Sequence, residues 1–140
     1  MEHIGWVLAL TGSVGMSVIC WFVQLVAYPG LLDVTPEAFR SFHRRHCWGI
    51  GIIVVPLMLV ELAGSAFLVW VLPSGLSLFG LVLCLFAFGW TFAISAPLHG
   101  RLASGHDLGL ITRLIRTNLP RTLAWTAHAV VCLLALISPG

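Results

Sequence analysis

The sequence predicts an all-α fold, a four-helix transmembrane bundle forming one integral membrane domain over residues 1–140, with a cytoplasmic helical extension before the second span and an interfacial amphipathic helix before the fourth. Three observations carry this reading. Of 140 residues, 59% are hydrophobic and only 9% charged, with no lysine, against ~25% charged in soluble domains. Apolar runs fall at about 4–28, 48–72, 76–98 and 120–137, close to the ~20 residues that a helix needs to cross a bilayer. The polar residues inside these runs recur at helical spacing, so each helix carries one polar stripe, and four such stripes make a bundle with a polar interior.

All seven arginines lie in two connections, Arg40, Arg44 and Arg45 in the first and Arg101, Arg113, Arg116 and Arg121 in the third. The positive-inside rule puts both connections in the cytoplasm and both termini on the non-cytoplasmic side, in what is expected to be a bacterial inner membrane. Topology and anionic headgroups account for the arginine excess, so no nucleic-acid partner is expected. Glu2 and His3 stand where a secretory signal would be basic, and the first run is longer than a signal core, so it is read as a retained span. Cys20, Cys47, Cys84 and Cys132 form no Cys-x-x-Cys pair and read as small packing residues. No His-Glu-x-x-His motif, phosphate loop or nucleophile elbow is present, which leaves hydrolase and kinase readings without support.

In the first span, Ser13, Ser17, Cys20, Gln24 and Tyr28 share a face, and Pro29-Gly30 is expected to end the helix. Thr35-Pro36-Glu37 is a helix start with a capping hydroxyl, proline at the first position and an acid at the positive end of the dipole. Nothing breaks that helix before Gly49. Phe39, His43, His46 and Ile50 lie on one side of it, and Glu61, five turns beyond His43, points the same way. Pro56 is expected to bend the span between them. In the third span Thr91, Ser95 and His99 form a stripe, with Pro97 loosening its end. Asp107 can cap a short helix whose Leu108, Ile111, Leu114 and Ile115 oppose Arg113 and Arg116, the composition of an interfacial segment. Asn118-Leu119-Pro120 then reads as the start of the fourth span, with Arg121, Trp125, His128 and Cys132 on one face.

Depth along each helix sharpens these stripes. At ~1.5 Å per residue from the cytoplasmic boundary, Ser17 and Glu61 lie roughly 16 Å deep and Thr91 and His128 about 12 Å. An intramembrane acid is costly and calls for a partner. Glu61 and His128 are therefore the expected catalytic pair, the alternative being a protonated Glu61 that bonds Ser17 or Thr91 and only holds the bundle. Gln24, Trp125, Asn118 and Arg121 are the expected substrate-binding residues. Six histidines invite a transition metal or a haem, and His43, His46 and His99 at the cytoplasmic mouth are the expected metal ligands. The bland alternative for those three is ordinary interfacial histidine. Gly12 to Gly15 and Gly64-Ser65-Ala66 are small-residue patches that could join two copies into a homodimer.

Trp21-Phe22-Val23-Gln24 with Tyr28-Pro29, the stretch Met58 to Leu62, and Asn118 with Arg121-Thr122 and Trp125-Thr126 carry a resemblance. On these motifs the chain resembles a group of small bacterial four-span membrane proteins that are themselves loosely similar to the anthrone oxygenase-like family. That resemblance implies an oxygenase role. With the polar, histidine-rich funnel, it makes an oxidoreductase or oxygenase acting on a lipophilic small molecule the first expectation. A small proton-linked transporter or carrier titrating at Glu61, and a non-catalytic membrane subunit, remain as alternatives.

Overall fold

A computed structural model describes residues 1–137, and its backbone is almost wholly helical. Four helices, each long and apolar enough to cross a membrane, follow one another: α1 (Glu2–Asp33), α2 (Pro36–Val71), α3 (Gly75–Leu102) and α4 (Leu108–Ile137). Short connections make successive helices antiparallel. In cross-section the bundle is a square in which α1 and α3 each pack against both α2 and α4. The expected carboxyl-terminal position at Gly140 lies outside the described residues.

The distribution of polarity is that of a protein solvated by lipid. Val18, Leu25, Ile52 and Phe92 are exposed, whereas Ser13, Ser17, His43, Glu61, Ser95, Asn118, Arg121, Thr122 and His128 are buried. Backbone groups in hydrocarbon must be satisfied within the helix, and polar side chains must find partners inside the bundle. Apolar clusters alternate with them. Trp6, Ala9, Leu68 and Cys132 fill one end, Met16, Cys20, Met58, Ala87 and Trp125 the middle, and Tyr28, Leu31, Phe39, Leu98, Leu102, Ile111 and Leu114 the arginine-bearing end.

Glycine decides how closely α1 and α2 approach. A Cβ on Gly12 would collide with the backbone and Cβ of Glu61, and one on Gly64 would meet the Ala9 nitrogen at 2.6 Å. Both glycines, expected to face a second copy, are thus spent on contact inside one chain. Their small size seats Glu61 deep in the bundle.

The prolines do not end helices as expected. The chain runs through Pro29 and Pro97, each reached from a π-helical turn, Val23–Ala27 in α1 and Thr91–Ser95 in α3, that ends two residues earlier. A proline ring presses on the carbonyl one turn back and leaves it without a donor. A wider i→i+5 turn relieves that conflict without breaking the rod. Pro120 is likewise interior, so the amphipathic stretch from Leu108 and the fourth span are one continuous helix. Asn118 does not cap it but reaches across to α1. Asp107 does cap α4, accepting from the Leu110 N–H at 2.9 Å. Thr35 makes no side-chain cap on α2. Ser74 and Ser77 form a reciprocal capping box on α3 instead, Ser77 N–H to Ser74 Oγ at 3.1 Å and Ser74 N–H to Ser77 Oγ at 2.9 Å.

Candidate functional site

Two polar groups lie along the bundle axis. The deeper one centres on Glu61, wholly buried on α2. Its Oε1 lies 2.6 Å from His128 Nδ1, and its Oε2 accepts from Trp125 Nε1 at 2.7 Å. Gly80 gives the His128 ring its place, since a Cβ there would come within 3.1 Å of Nε2. The imidazole thus satisfies one oxygen of the buried carboxyl and the indole N–H the other. Ser17 and Thr91 lie elsewhere. Ser17 bonds Thr126 at 2.9 Å, and Thr91 donates to the Ala87 carbonyl at 2.8 Å.

The second group sits at the arginine-bearing end and draws on all four helices. His43 Nε2 and His99 Nδ1 are 3.0 Å apart, and Cys47 Sγ lies 3.4 Å from His43 Nε2 and 3.5 Å from His99 Nδ1. One donor atom from each of these three residues falls within 4.8 Å of the other two. His46, expected in this trio, is displaced from it. Its ring centroid is 6.0 Å from that of His99 and 6.1 Å from that of Tyr28. Helical geometry explains the exchange. From His43 a step of four turns the side chain by ~40° and a step of three by ~60° the other way, so Cys47 keeps the better alignment.

The group continues inward. His99 Nε2 is 2.9 Å from the Tyr28 hydroxyl, which also accepts from Arg121 Nη2 at 3.2 Å. Arginine can only donate, so the Tyr28 hydrogen is left for His99 Nε2. In the neutral ring the remaining proton then lies on Nδ1, directed at His43. Asn118 Oδ1 accepts from Arg121 Nε at 2.7 Å, and Asn118 Nδ2 donates to Gln24 Oε1 at 2.8 Å. The guanidinium lies 5.7 Å from the Trp125 ring centroid, a cation–π contact that joins the two groups.

Two cavities meet at this second group. An outer one of about 570 Å³ is lined by Arg40, His43, Arg44, Cys47, Trp48 and His99. An inner one of about 240 Å³ has Tyr28, His46, Thr91, Ser95 and Arg121 among Met16, Ile19, Val54 and Met58. Cys47 and His99 line both and form the wall between them. Of the expected substrate-binding residues, Arg121 alone lines the inner cavity. Asn118 holds its guanidinium and is held in turn by Gln24, and the Trp125 ring lies against it. Glu61 and His128 line neither cavity.

Two imidazoles and a thiol within reach of one point form a donor set for a single transition-metal ion. They suit a haem poorly, because a macrocycle keeps its axial ligands on opposite faces, whereas these rings stack with centroids 5.2 Å apart. Cys47 was passed over in the sequence as a packing residue. Its position four residues after His43 was the available signal. Comparison with known proteins finds no family model, no curated relative and no solved structure that matches the chain.

Proposed function

We propose that this chain is a membrane-embedded oxidoreductase of the oxygenase kind, which takes a lipophilic substrate into the inner cavity and holds a transition metal at His43, Cys47 and His99. The observation that carries this reading is the place of the cluster, in the wall between an apolar-sided inner cavity and an outer cavity open at the arginine-bearing end. A metal there would touch both compartments. The resemblance to the anthrone oxygenase-like family agrees with this reading, and the arginine-bearing end is assigned to the cytoplasm by its charge. Glu61 and His128 act as positioning residues. His128 holds the Glu61 carboxyl, Glu61 fixes Trp125 through its Nε1–H, and Trp125 supports Arg121.

An anthrone serves as the test substrate. Its ring CH₂ would become C=O, with one oxygen atom of O₂ entering the product and the other leaving as water, so that four electrons come from the substrate and no further reductant is needed. Metal-loaded protein should consume one O₂ per quinone formed, saturably, and lose this activity in Cys47→Ser. Oxygen uptake no faster than that of the protein-free solution would overturn the reading.

A further inference from the structure

Six of the seven arginines are exposed. Arg121 is the exception, 8% exposed inside the bundle, and among the described residues no carboxylate pairs with it. The five acids of the chain are Glu2, Asp33, Glu37 and Asp107, all exposed, and Glu61, whose two carboxyl oxygens already bond His128 and Trp125. The acceptors around the guanidinium are neutral: Asn118 Oδ1, Tyr28 Oη, and Thr91 Oγ1 at 3.4 Å. These take three of its five N–H groups and leave two, at a residue that lines the inner cavity. A charge held in a membrane interior normally finds an opposite charge. Here it faces an opening instead.

We propose that the inner cavity binds an amphiphilic anion, its carboxylate or phenolate head on Arg121 and its apolar body along Met16, Ile19, Val54 and Met58. This deepens the oxidoreductase reading by naming the substrate class of the same site. The cavity supplies both halves of the ligand, an aliphatic wall and a fixed fork of N–H donors suited to a planar anion. Its volume, about 240 Å³, equals that of roughly eight waters at ~30 Å³ each. A head and a few carbons fill it. The tail has a way out at Gly51, which lines both this cavity and a surface groove formed with Trp48, Ile52, Val55 and Pro56. A Cβ at Gly51 would meet nothing within 4 Å, so the space beside it is open.

The experiment is equilibrium binding of radiolabelled decanoate to the protein in nanodiscs of zwitterionic lipid, under argon so that no turnover contributes. Saturable binding is expected, displaced by unlabelled decanoate and at least tenfold less well by methyl decanoate or decylamine. Arg121→Gln should weaken it at least tenfold, and Gly51→Phe should weaken decanoate while sparing butyrate. Arg113→Gln should leave it unchanged. Phosphatidylglycerol added to the discs distinguishes the source of the anion: displacement by it identifies an anionic phospholipid as the occupant, and indifference to it a free amphiphile. Equal displacement by the methyl ester would overturn the proposal. That comparison uses the unmodified protein and stands even where Arg121→Gln fails to fold. Decanoate binding in a protein that oxidises nothing would keep the anion site and remove only the oxidoreductase reading.

Discussion

The two polar groups on the bundle axis are built from similar residues and differ in access. Around Glu61 both carboxyl oxygens are bonded, neither of the two cavities is lined by it, and Gly12 closes α1 down upon it. Around His99 the groups border two cavities, a thiol stands at 3.5 Å, and a guanidinium keeps N–H groups to spare. A fully satisfied buried network stiffens a fold, whereas one left open to a cavity can bind. Polarity inside a membrane bundle is therefore not by itself the mark of a site. Access decides.

The largest effect that should separate the two groups is on stability. Glu61→Leu leaves the His128 imidazole and the Trp125 N–H buried without acceptors, and breaking a buried pair costs about 3–5 kcal/mol. Thermal unfolding in detergent should show that loss, with Glu61→Gln affected less because its amide oxygen still accepts one bond. A Glu61→Leu protein that melts like the wild type yet is inactive would make the deeper group catalytic and erase the distinction. Gly12→Val should come next, at about 1–3 kcal/mol for an overpacked contact, since the new side chain meets the Glu61 backbone.

At the mouth the expected pattern reverses, with binding changed and stability kept. Cys47→Ser should lower affinity for a divalent transition metal by about a hundredfold, since it replaces a thiolate ligand by a weak one, with little change in melting. Uptake of the metal should release a proton, because the Cys47 thiolate and not the thiol is the ligand. Affinity should accordingly fall as pH falls. A pH-independent affinity would point to different ligands. The smallest effect is expected at Arg113 and Arg116, whose replacement by Gln should change stability by no more than ~0.5 kcal/mol and leave metal binding as it was.

The helical stripes and depths made the deeper group readable in advance. Glu61 and His128 were matched from spacing alone, and they lie 2.6 Å apart. The mouth was harder to read, for two physical reasons. One residue of helical phase separates His46 from Cys47, and a cysteine outside any Cys-x-x-Cys pair signals packing until a histidine is seen opposite. The prolines misled as well. Pro29, Pro97 and Pro120 read in the sequence as ends or starts of helices, but two π-helical turns and an asparagine reaching sideways let the rods continue. Those continuations carry Tyr28 and His99 into contact. No periodic pattern announces a π turn, because it arises from the local conflict of a proline with the turn before it.

The most direct test of the central claim, that the mouth cluster is a metal centre with Cys47 as a ligand, is the absorption spectrum of the Co²⁺-loaded protein. Stoichiometric cobalt with a near-ultraviolet thiolate charge-transfer band is predicted, lost in Cys47→Ser and kept in His46→Ala. A wild-type protein that takes up no cobalt, or a charge-transfer band that survives Cys47→Ser, would contradict the account.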